Sequence, residues 1–69
     1  MNRDHVQSSN IESIGYDSGR QILEIEFLNG SIYQYFDIPQ QIYDGLMGAD
    51  SQGRYLAANI KGHYRYSKV

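Results

Sequence analysis

Residues 21–36, QILEIEFLNGSIYQYF, decide how the chain folds. Their first half alternates: Leu23, Ile25 and Phe27 fall on one face of a strand, Glu24 and Glu26 on the other. Asn29-Gly30 marks a tight hairpin. SIYQYF, rich in aromatic and β-branched residues, is the returning strand. Two registers compete. A two-residue Asn29-Gly30 turn sets Phe27 opposite Ile32 and Ile25 opposite Gln34, which puts an amide in the core and both tyrosines beside the glutamates. A three-residue loop, Leu28-Asn29-Gly30, with Gly30 as a left-handed bulge residue, flips the parity. Ile25 then faces Tyr33, Leu23 faces Tyr35, and Gln34 joins Glu24 and Glu26 outside. A one-residue slip exchanges the faces of every side chain, so the register that keeps polar groups out of the core is the expected one. It makes Tyr33 and Tyr35 core pillars, each needing a hydrogen-bond partner for its hydroxyl. It also turns Ile32 and Phe36 outward unless a helix or tail covers them.

Working outward, residues 1–9 are polar and aperiodic; 1–7 are expected to be a flexible N-terminal tail and 8–69 a single domain. NIESIGYDSG carries a short strand with Ile14 and Tyr16, then a turn at Asp17-Ser18-Gly19. In DIPQQIYDGLMGA, Pro39 suits the first helical position and Asp37 a cap near it. Ile42 with Leu46, and Tyr43 with Met47, are spaced for one face of a short helix that Gly45 weakens and Gly48 ends. DSQGRYLAANIKG restarts the pattern, with Asp50 or Ser51 as cap, Leu56 and Ile60 as one stripe, Tyr55 and Asn59 as the next, and Gly62 as the stop. HYRYSKV reads as an extended segment or a short edge strand. The expectation is an α+β fold: a small three-stranded antiparallel meander followed by two short helices and an extended C-terminal segment.

Composition bounds what such a fold can do. The chain has 69 residues, no Cys and no Trp, two Phe and seven Tyr. A domain of this size has a thin stability margin. No disulfide or thiolate metal site reinforces it, and His5 and His63 have no ligand-like spacing. Tyrosine must therefore supply much of the large apolar area. No apolar run has the length of a membrane span and the start has no signal-peptide pattern, so a cytoplasmic protein is expected. The net charge is −2, which speaks against a strongly basic nucleic-acid binder. The distribution speaks otherwise: every Asp and Glu lies before Ser51, whereas Arg54, Lys61, Arg65 and Lys68 follow it. That is either ordinary surface variation or one basic face on an acidic domain.

Together SSNIESIGYD, IYQYF, the IP helix start and SQGRYLAANIKGHYRY resemble the KTSC domain over nearly the whole chain from Ser8. That domain is named for its place at the C-terminus of some lysyl-tRNA synthetases and also stands alone in bacteria. The resemblance implies a domain of this size with a central Tyr-x-Tyr, here Tyr33 and Tyr35. Tyr16, Pro39, Ser51, Gly53 and Asn59 belong to the same matching stretches. It implies no established activity; RNA binding is a proposal for the family.

No nucleophile, phosphate-loop, zinc-protease or paired Cys-His motif is present, so an enzyme, a metal or a cofactor is not expected. The leading expectation is binding of RNA, or tRNA, through aromatic rings that stack on bases and cations that pair with phosphates. The residues offered are Arg54, Tyr55, Lys61, His63, Tyr64, Arg65, Tyr66 and Lys68. In an extended tail Tyr64 and Tyr66 share one side and His63 and Arg65 the other, an arrangement that equally suits tyrosines packed on the sheet beneath solvated charges. Tyr55 and Asn59 suit helix packing, with Asn59 able to bond a buried tyrosine hydroxyl. Ser51 and Gly53 suit a helix start, or a phosphate site helped by Arg54. The competing class is a protein-interaction module using Ile32 and Phe36 as an outward apolar patch.

Overall fold

The computed structural model describes residues 3–69. The elements run β1 (Asp4–His5), β2 (Ile11–Asp17), β3 (Ile22–Phe27), β4 (Ile32–Tyr35), α1 (Gln40–Met47), α2 (Gln52–Asn59) and β5 (Tyr66–Lys68). The strands form one antiparallel sheet in the order β1-β2-β3-β4-β5. The α+β class and the two helices are as the sequence indicates, but the sheet has five strands, not three. The tail expected over 1–7 falls partly on residues 1 and 2, outside the described residues. Within the rest of it, Asp4 and His5 pair with Ile14 and Ser13 as β1. At the other end Tyr66–Lys68 joins β4 as the edge strand β5. Both additions are short: backbone pairing holds β1, and in β5 the Tyr66 ring adds to that pairing.

The hairpin takes the three-residue loop. Leu23 faces Tyr35, Glu24 faces Gln34 and Ile25 faces Tyr33. Gly30 has φ +91, its N–H donates to the Phe27 carbonyl at 2.9 Å, and Phe27 N–H donates to Ser31 at 2.8 Å. The positive φ is the reason a glycine stands there. Gln34 lies outside with the glutamates and its Nε2 donates to Glu24 Oε1 at 2.9 Å. Arg3 donates to Glu24 Oε2 at 3.0 Å, and the Ser13 hydroxyl to Glu26 Oε1 at 2.9 Å. The outer face is thus a cross-strand polar lattice of mixed sign rather than a bare acidic surface.

The helices cover the inner face. Ile11, Ile14, Leu23, Ile25 and Tyr35 from the sheet enclose Ile38, Leu46, Leu56 and Ile60, all 3 % exposed or less. Tyr16 stacks on Tyr43 of α1 (centroids 4.5 Å, planes 9° apart), and its hydroxyl donates to the Ile38 carbonyl. Among the described residues Tyr16 is the tyrosine whose hydroxyl bonds within the fold; the hydroxyls of the two pillars, Tyr33 and Tyr35, make no such bond.

Helix ends depart from expectation at one cap. Ser51 caps α2, accepting from Arg54 N–H at 3.3 Å. Pro39 itself stands at the N-cap of α1, where no side chain caps. Asp37, expected there, has φ +60 and sits 3.6 Å from Arg65 instead. Gly45 has a packing role the sequence hid: a Cβ on it would come within 2.7 Å of Tyr55 Cζ, so the missing side chain is what lets the α2 ring lie against α1. Asn59 does not reach a tyrosine hydroxyl; its Nδ2 bonds the Tyr55 carbonyl one turn back.

Candidate nucleic-acid interface

The hairpin register sends Tyr33 and Tyr35 to the inner face, and pairing of β4 with β5 sets Tyr66 opposite Tyr35 on that same face. Three tyrosine rings therefore meet at one edge of the sheet. Centroids lie 6.4 Å apart for Tyr33 and Tyr35, 5.7 Å for Tyr33 and Tyr66, and 5.9 Å for Tyr35 and Tyr66. Phe27 meets Tyr33 edge-on at 5.7 Å and 87°, a favoured aromatic geometry. Lys61, in the turn after α2, holds its ammonium 5.2 Å over the Phe27 ring.

These rings line a groove of about 790 Å³. One wall is Ser9 and Asn10 with the hairpin loop from Leu28; the other is the Lys61-Gly62 turn. Neither helix contributes a residue to the lining. The first wall is fixed by local bonds: the Ser8 hydroxyl accepts from Asn10 and Ile11 N–H, and Leu28 N–H donates to the Asn10 carbonyl at 2.9 Å. The second is fixed by Gly62 at φ +80, which turns the chain out of α2. Among the described residues the lining holds one cation and no carboxylate. Tyr35 is 3 % exposed and Tyr66 59 %, so the first is floor and the second is a ring open to solvent. Burial, with Tyr33 and Tyr66 alongside, pushes the Tyr35 hydroxyl's pKa above the ordinary tyrosine value.

The expected binding residues separate in space. Lys61 and Tyr66 reach the groove. Lys68 stands opposite Tyr33 in β5, at the groove's edge. Arg54 and His63 are exposed elsewhere, and Tyr64 packs against the core. Tyr55 lies between the helices at Gly45. Arg65 is engaged on the far side, 4.9 Å over the Phe36 ring and 3.6 Å from Asp37. Gly53 lies close to the Asn10 and Ser8 side chains. Ile32 lies on the outer face, opposite Glu26, as the register requires, but it and Phe36 are both half-buried and form no open apolar patch. Phe27, Asn10 and Leu28 were missed as site residues. The available signal was Phe27's place as the last inward residue before the loop, beyond the reach of the helices.

Among the described residues no cluster of His, Asp and Glu could hold a metal, and no helix is long and apolar enough to cross a membrane.

The fold and the groove define a class: a small α+β domain, with a five-stranded antiparallel sheet backed by two helices and a ring-lined, acid-free groove at one sheet edge. The chain belongs to the KTSC domain family, which matches residues 7–64. A KTSC domain protein of Yersinia pestis superposes with a TM-score of 0.93 at 40 % identity, over 99 % of this chain and 96 % of that one. An uncharacterized protein of Stutzerimonas stutzeri is 43 % identical over 100 % of this chain and 99 % of its own length. A lysine–tRNA ligase of Trichormus variabilis is 36 % identical over 91 % of this chain, which corresponds to 11 % of the ligase.

Proposed function

We propose that this domain binds RNA, weakly and without catalysis, through the groove formed by Tyr66, Tyr33, Phe27 and Lys61. The observation that carries the reading is the composition of the groove: four aromatic rings with a cation among them and no acid in the lining, in a protein of net charge −2. Aromatic faces for bases beside ammonium groups for phosphates are what single-stranded nucleic acid requires. Lys61, Lys68 and Arg54 make no salt bridge among the described residues, so their charge is available to a polyanion. Kinship with a segment of lysine–tRNA ligases supports tRNA as the first RNA to test.

The test is a titration of 15N-labelled protein with tRNA and with a short single-stranded RNA at low salt. The expected result is amide shifts confined to Asn10, Leu28 to Ser31, Tyr33, Lys61, Gly62 and β5, which weaken in Lys61→Ala and as salt is raised. Spectra unchanged at high micromolar RNA overturn the proposal.

A further inference from the structure

We propose that the groove is a pocket for one unpaired nucleobase, stacked on Tyr66 with its phosphate at Lys61, so that the domain selects single-stranded over duplex RNA. This rests on the RNA reading above and specifies the part of the RNA that is recognised.

Three observations converge on it. Among the described residues the exposed large hydrophobic side chains are Leu28 (54 %), Tyr66 (59 %) and Val69 (64 %), and two of these three line this one groove. A flat apolar ligand would cover both; a phosphate backbone alone would cover neither. Second, the charge is too sparse for a duplex grip. Gripping a double helix by its phosphates takes several cations along a track, but the lining supplies Lys61 alone, already laid over Phe27. Third, the polar groups on the wall suit a base edge. Asn29 Oδ1 accepts from Ser31 N–H at 3.0 Å, which fixes the carboxamide and leaves its Nδ2 as a donor. Inside a duplex both faces of every base are stacked on neighbours, so only a base turned out of a helix could meet the Tyr66 ring.

Fluorescence anisotropy with three labelled probes tests this: a single-stranded RNA octamer, the same strand in a duplex, and the same strand with abasic sites. The expected order is single strand well above duplex and abasic strand. Tyr66→Ala should weaken single-strand binding by about 5- to 150-fold, the range that corresponds to loss of one base stack. Tyr66→Phe, which keeps the ring, should retain it. Because Tyr66 is largely exposed, both variants should fold, and far-UV circular dichroism checks that. Lys61→Ala should reduce the salt slope of log K by about 0.7, one phosphate's worth on a single strand. Equal binding of all three probes, or no loss in Tyr66→Ala, overturns the base pocket while leaving RNA binding in place. Binding of none overturns both.

Discussion

Replacing Gly45 by Ala reverses the usual rule for helices. In an isolated helix Ala is favoured over Gly by about 1 kcal/mol. Here the added methyl would overlap the Tyr55 hydroxyl oxygen and fall 2.7 Å from Cζ and 3.0 Å from Cε2, where carbon–carbon contacts need about 3.5–4.0 Å. The ring must retreat by roughly 1 Å, and overpacking of that kind costs about 1–3 kcal/mol. The net expectation is destabilisation of up to about 2 kcal/mol, with each kcal/mol lowering Tm by about 4–8 °C in a domain this small. The cycle that isolates the cause pairs it with Tyr55→Ala. Once the ring is gone the clash is gone, so Gly45→Ala should become stabilising by up to about 1 kcal/mol in that background. Thermal and urea unfolding of the four proteins, followed by circular dichroism, gives both numbers. A Tm that rises on Gly45→Ala in the parent as well as in Tyr55→Ala would refute the reasoning, because it would mean the ring swings aside at no cost.

Tyr16→Phe keeps the stack on Tyr43 but strands the Ile38 carbonyl; the expected loss is about 1–3 kcal/mol, and an unchanged urea midpoint would count against that bond. Alkaline pH should unfold the domain through two of its tyrosines. Tyr16 and Tyr35 are both raised above the ordinary value, in each case first by burial, then by Asp44 and Asp17 for Tyr16 and by Tyr33 and Tyr66 for Tyr35. Above pH about 10 the unfolded chain releases these protons while the folded one retains them, so stability present below that pH falls as pH climbs toward the folded values. A Tyr16→Phe/Tyr35→Phe double variant whose stability drops just as steeply over roughly pH 9–11, around the ordinary tyrosine pKa, would show that these two residues are not the cause.

The central hairpin was legible because one residue, Gln34, has a different cost in each register, and Gly30 permits the loop that spares it. Helix positions were legible from Leu46, Leu56 and Ile60, which recur at helical spacing and are all buried. Of the edge strands, Tyr66–Lys68 was open between an extended segment and a short edge strand, and Asp4–His5 was not legible, because it buries little and backbone pairing leaves no pattern in the side chains. The groove was half legible. Its cation and its exposed ring stand in HYRYS and the turn before it, but Phe27, Asn10 and Leu28 arrive from segments more than thirty residues away along the chain. Arg54 and Arg65 looked equivalent to Lys61 in sequence. Only the structure shows that Arg65 lies beside Phe36 and Asp37, away from the groove.

Both helices intervene between β4 and β5, yet these strands lie side by side. The aromatic cluster therefore comes into being only when the last strand docks, and it comes apart when that strand frays. An edge strand of three residues is among the first parts of a domain to open locally. Anything held against Tyr66 acts as a clasp on the C-terminal end of the chain, and its binding free energy adds to the closure of β5 by mass action. Hydrogen exchange at Tyr66, Ser67 and Lys68 would then report occupancy of the groove as directly as any signal from the ligand. The strand that completes the sheet is also the latch of the site.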